Sequence, residues 1–139
     1  MDYPVLAIHT LVSFALLGLI WLVQIVQYPG FAKVPTEGFV AYHHAHTRNI
    51  GFVVIPLMFT ELVTAGLMVI ETYVSSSRAW IMLSLTLVIW FSTFLLQVPC
   101  HRRLSHGKDS AVIRRLILTN WVRTLIWSLK SLLLFLWYF

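Results

Sequence analysis

Acidic side chains are scarce in this chain. Its 139 residues hold five Asp or Glu against ten Lys or Arg, and charged residues make up only 11%. A soluble domain carries about 25%, so the composition argues against one. Cysteine is nearly absent as well. Cys100 stands alone, which excludes an intrachain disulfide and reads as a free buried or interfacial thiol. A catalytic thiolate, activated by its neighbours His101 and Arg102, is the lesser reading. No HExxH and no CxxCH occurs, so a zinc-protease helix and covalently attached haem are excluded. The multiple histidine boxes of a membrane di-iron desaturase are missing too. The basic residues form no continuous face, and nucleic acid is not an expected partner.

What the chain has is apolar length. Hydrophobic residues make up 59% of it, and its mean hydropathy is +0.83. Four windows approach the ~20 residues needed to cross a hydrocarbon core: Val5–Gln27, Asn49–Val69, Ala79–Pro99 and Leu116–Tyr138. In lipid the backbone must satisfy itself, so these windows are expected to be helices. The expected fold is an all-α, integral membrane four-helix bundle forming one domain, with helices near 5–27, 37–74, 79–99 and 110–138. Val5–Gln27 reads as a span and not as a signal peptide, because Asp2 replaces a basic leader. Lys33, Arg48, Arg102, Arg103, Lys108, Arg114 and Arg115 fall in the first and third connections, and Arg78 alone in the second. The positive-inside bias puts those two connections in the cytoplasm and both termini outside. Membrane lipids are therefore expected partners, and the basic connections are expected to meet anionic head groups.

Local signals set the element ends. Tyr28-Pro29-Gly30 and Val98-Pro99 read as helix stops, Ser75-Ser76-Ser77 as a short loop, and Asp109 as a favourable start for the fourth helix. Helical Gly and Ala are expected at packing contacts. Gln27-Tyr28-Pro29 recurs as Gln97-Val98-Pro99, offset by 70, and Trp21 recurs as Trp90. A helical hairpin repeated in parallel produces such an echo.

Polar residues inside the apolar windows are the candidate site. Glu61 lies mid-window, where a carboxyl group costs about 2.5–3.5 kcal/mol to insert. Arg123 is expected to pair with it or with a bound anion. Five of the six histidines, His43, His44, His46, His101 and His106, fall on the cytoplasmic side. His43 and His46 share a helix face, as do Gln97 and His101. Asn120, Arg123, Trp127 and Lys130 form one stripe, and Trp21, Gln24 and Tyr28 another. On a straight helix Glu61 lies roughly 22 Å from His46, too far for one metal to bridge. A cavity between these faces suits a hydrophobic small molecule. His43, His46 and His101 are the candidate metal ligands, for iron, copper or zinc, or for a b-type haem. Glu61, His101 and Arg123 are the candidate catalytic groups. Gln24, Gln27, Tyr28, Gln97, Asn120 and Trp121 are the candidate substrate or cofactor contacts.

Three stretches carry a likeness: Gln97-Val98-Pro99, His101-Arg102-Arg103-Leu104, and Thr119-Asn120-Trp121-Val122-Arg123-Thr124. They resemble the anthrone-oxygenase-like family of small four-helix membrane proteins. In that group Pro, a polar residue and Arg-Leu close the third helix, and Trp and Arg-Thr sit in the fourth. The first half, from Gln27-Tyr28-Pro29-Gly30-Phe31 through Tyr42-His43 and His46 to Pro56-Leu57-Met58 and Glu61, resembles a bacterial subgroup. His101 stands where the family pattern usually has Asn. The resemblance implies a bacterial inner-membrane oxidoreductase acting on an aromatic or quinol-like molecule. The alternative expectation is a non-catalytic membrane binding or accessory subunit for lipid, quinone or metal. A homodimer is compatible with either.

Overall fold

The computed structural model describes residues 4–70 and 76–138. They form four helices: α1 (Pro4–Phe31), α2 (Thr36–Ile70), α3 (Ser76–Leu104) and α4 (Ser110–Tyr138). The first and third connections are tight loops, 32–35 and 105–109, at one end of the bundle, called here the loop end. The helices run up and down in a ring, α1 packing on α2 and α4, and α3 completing the circle between them. The expected extension of α2 to Val74, and Ser75, lie outside the described residues. Ser76 and Ser77 open α3 and do not belong to a loop.

Both proline stops are corrected. α1 continues through Pro29 to Phe31, and α3 through Pro99 to Leu104. A proline has no N–H and its ring clashes with the carbonyl four residues earlier. Each helix relieves this by widening into one π-type turn just before the proline, at Val23–Gln27 and at Thr93–Gln97. There the N–H of Tyr28 bonds the Val23 carbonyl, and that of Val98 bonds the Thr93 carbonyl. The same device thus recurs at an offset of 70, and the echo between the two hairpins is structural as well as sequential. α2 likewise runs through Pro56 without ending. Asp109 does begin α4: its Oδ1 accepts the backbone N–H of Ala111 (2.9 Å) and Val112 (3.1 Å).

Three helices, α1, α2 and α3, are long and apolar enough to cross a membrane. α4 was expected to match them. It is long enough at 29 residues but less apolar, because it carries Arg123 and Lys130. Both cations are buried inside the bundle. The outer surface is the reverse: Leu11 (72% exposed), Phe52 (76%) and Ile70 (77%) point outward, while His9, Glu61, Asn120 and Lys130 are sealed within. An apolar exterior of this extent marks a surface that meets something other than water. Ala65 and Ala79 are closely packed. Gly18, Gly30, Gly38 and Gly66 are not packing contacts, since a Cβ added there would touch nothing within 4 Å.

Candidate functional site

The polar interior divides into two networks at different depths. Far from the loops, Lys130 Nζ lies 2.7 Å from Glu61 Oε1, with both side chains fully buried. The carboxylate also accepts hydrogen bonds from Ser13 Oγ (2.8 Å) and Trp127 Nε1 (3.1 and 3.2 Å). Lys130 donates to Thr86 Oγ1 at 2.6 Å. His9 Nδ1 lies 2.9 Å from Thr64 Oγ1, one turn along α2 from Glu61. The expected pairing of Glu61 with Arg123 is therefore corrected to Lys130. Depth explains it. Glu61 lies 25 residues beyond the start of α2, and Lys130 and Arg123 lie 20 and 13 beyond the start of α4. At 1.5 Å per residue the axial gap is about 8 Å to Lys130 and about 18 Å to Arg123. A lysine side chain spans the first gap; an arginine does not span the second.

Arg123 anchors the second network, nearer the loops. Its Nε donates to Asn120 Oδ1 (2.9 Å), where Nη2 also donates, and Nη2 reaches Tyr28 Oη (3.1 Å). Nη1 donates to Thr93 Oγ1 at 3.4 Å, in the π turn of α3. Asn120 Nδ2 in turn donates to Gln24 Oε1 (2.7 Å), which also accepts from Thr124 Oγ1 (3.1 Å). Every one of these partners is neutral. Among the described residues Arg123 has no carboxylate, although it is buried.

Tyr28 connects Arg123 to the histidines. Its hydroxyl lies 3.0 Å from His101 Nε2, and His101 Nδ1 lies 3.0 Å from His43 Nε2. Arg123 only donates, so Tyr28 keeps its own proton for His101 Nε2. His101 Nδ1–H then donates to His43 Nε2, and the remaining proton sits on His43 Nδ1. That atom is buried and has no hydrogen-bond partner. The order is Arg123, Tyr28, His101, His43, one continuous hydrogen-bonded line. Phe31, fully buried, packs its ring against His43, His46 and His101 at centroid distances of 5.5, 4.9 and 6.3 Å. The ring of His46 stacks on that of His101 at 6.4 Å.

These groups edge a cavity of about 420 Å³. Tyr28, His43, His46, His101 and Arg123 supply its polar side, and Trp127 closes the end nearest Glu61. Leu19, Ile20, Val23, Ile50, Val54 and Val98 supply apolar walls. Gln97 lines it too, and its Oε1 is buried without a partner. Two residues that line the cavity thus hold a buried atom without a partner, Gln97 Oε1 and His43 Nδ1. Buried polar atoms are rarely left so. The cavity reaches the flank of the bundle between α2 and α3, where Ile55 and Val98 are exposed. α2 packs well on the first part of α3 and only sparsely on its last turns.

The structure brings together Tyr28, His43, His46, Gln97, His101 and Arg123 at the cavity, with Gln24 and Asn120 bonded behind Arg123. Three expected site residues lie outside it. Glu61 touches the cavity only through Trp127. Gln27 lies beside Tyr42 and Asn49 on another face. Trp121 is 38% exposed and packs edge-on against Trp21 at 5.7 Å. Among the described residues no three His, Cys, Asp or Glu side chains are arranged to hold a metal ion; His43 and His101 bond to each other. Sequence reasoning missed Thr93 and Phe31. A proline four to six residues downstream of a polar position was the available signal for Thr93; a lone phenylalanine after Pro-Gly gave none for Phe31.

Tyr28→Phe tests the connection. Deleting the hydroxyl removes the partner of His101 Nε2 in a half-buried residue, a loss expected to cost about 1 kcal/mol. Denaturant titration in mixed micelles measures it, and an unchanged midpoint would show that the link is not made. No protein-family model, no curated protein and no solved structure matches the chain.

Proposed function

We propose that this chain is an integral membrane enzyme, oxygenase-like, acting on a hydrophobic aromatic or quinol-like molecule that carries an acidic hydroxyl. One observation carries the reading: of the two cations buried among the described residues, Lys130 has a carboxylate there and Arg123 has none, and the unpaired one lines the cavity. A buried charge without a counter-ion costs several kcal/mol. An anionic ligand oxygen beside Arg123 would offset that cost. The apolar walls suit the ring system of such a ligand, and the flank opening suits entry from a bilayer.

In this reading the substrate hydroxyl faces Arg123 and Tyr28. The His101–His43 pair takes its proton, and Arg123 holds the resulting oxyanion. Dioxygen is the oxidant. A quinol gives up two electrons and two protons to it, leaving quinone and hydrogen peroxide; an anthrone takes one of its oxygen atoms and loses two hydrogens to the other, leaving anthraquinone and water. The resemblance to anthrone-oxygenase-like proteins supports the same class of substrate. Lys33, Arg48, Arg102, Arg103, Lys108, Arg114 and Arg115, in and beside the two loops, and the apolar exterior support a placement in a bacterial inner membrane with the loop end in the cytoplasm.

Oxygen uptake by the detergent-purified protein, with an anthrone and a naphthoquinol as probes, tests this. Uptake above the uncatalysed rate is expected, falling about 10²–10⁴-fold in His101→Ala. Iron, copper and zinc per chain are measured on the same samples, and a near-stoichiometric metal lost in His101→Ala would assign the histidines as ligands. Quenching of tryptophan fluorescence by the probes without uptake would favour the binding or accessory role. Neither uptake nor quenching would sink the cavity as a site for such molecules.

A further inference from the structure

A second cavity, of about 390 Å³, lies at the loop end between the last turn of α3 and the first turns of α4. Arg102, Arg103, His106 and Arg115 line it over an apolar base of Pro99 and Val112. Asp109, beside Arg103, is already engaged. It lies 3.7 Å from Arg103 Nε, and its other oxygen caps α4 through the N–H groups of Ala111 and Val112. Among the described residues Arg102 and Arg115 have no carboxylate partner. Orienting a helix hairpin requires positive charge at this end, but it does not require a concave site. Arg114 supplies the same charge beside it without lining the cavity.

Guanidinium groups bind phosphate oxygens through paired N–H donors. The exposed apolar surface begins within two turns of the cavity, at Val98 and Leu95 on α3 and at Leu118 on α4. A head-group phosphate in the cavity would leave its acyl chains against that surface. We propose that Arg102, Arg103, His106 and Arg115 form a phosphate-binding site, filled by an anionic lipid head group or by free phosphate. Arg102 also lines the larger cavity, so the two sites share one side chain.

Native mass spectrometry of delipidated protein in neutral detergent tests the proposal, with phosphatidylglycerol and inorganic phosphate as separate probes. Wild type is expected to retain one phosphatidylglycerol at least about tenfold more tightly than the Arg102→Gln/Arg115→Gln variant. Arg114→Gln is expected to match wild type. An Arg102→Lys/Arg115→Lys variant keeps the charge but not the paired donors, and is expected to fall between. Displacement of the lipid by millimolar phosphate would make free phosphate the ligand. Resistance to displacement would make it the lipid. Equal retention by the double Gln variant, or no binding of either probe to wild type, would overturn the site.

Discussion

Lys130→Met is expected to destabilise the bundle by about 3–5 kcal/mol, because it leaves the Glu61 carboxylate buried without a counter-ion. Ser13 and Trp127 would still donate to that carboxylate, but neither carries charge. Glu61→Gln in the same protein is expected to restore most of the loss. Replacing a buried pair with neutral groups of similar volume is often neutral or stabilising, whereas breaking it is not. Equilibrium unfolding in mixed micelles gives all three values. Glu61 and Arg123 serve as the negative control: they do not touch, so substitutions there should add within about 0.5 kcal/mol. A Lys130→Met variant within about 0.5 kcal/mol of wild type, the usual scatter of surface substitutions, would mean that the pair does not form. The pair also bears on the cavity. Trp127 donates to Glu61 and lines the cavity end, so the double variant should keep its fold yet weaken ligand-induced quenching.

Hydropathy and basic loops made four helices and their order legible in the sequence, and α4 begins at the residue where the charge pattern placed it. The polar stripe Asn120, Arg123, Trp127, Lys130 was legible as well, since a 3–4 spacing keeps residues on one face and all four are buried. Partner choice across helices was not. It depends on how far each residue lies from the loop that sets its helix in register, and Glu61 finds Lys130 for that reason. The prolines misled for a different cause. A proline stops a regular α-helix, but one wide turn absorbs the missing N–H and lets the helix run on. That turn places Thr93 beside Arg123 and Tyr28 beside His101, so the residues that looked like stops help to build the site. The histidine cluster was visible as a composition bias. Its order from Arg123 to His43 was not, because hydrogen-bond direction depends on contacts between α1, α2, α3 and α4 that no spacing along one helix reveals.

Arg123→Gln is expected to separate function from stability in the opposite sense to Lys130→Met. The glutamine amide can still donate to Asn120, and no carboxylate is left alone, because Arg123 has none among the described residues. Removing an unpaired buried charge should leave the unfolding midpoint unchanged or raise it. Turnover is expected to fall about 10²–10³-fold, the usual cost of losing one donor to a developing oxyanion. The discriminating measurement is affinity for a matched pair of ligands: a naphthol and its O-methyl ether. Wild type should prefer the naphthol, which can ionise beside the guanidinium, and Arg123→Gln should bind the two nearly alike. Equal affinities in wild type would mean that Arg123 does not serve an anionic oxygen. A large loss of stability in Arg123→Gln would mean instead that the arginine holds the bundle together through Asn120, Thr93 and Tyr28, and that its charge is incidental to the cavity.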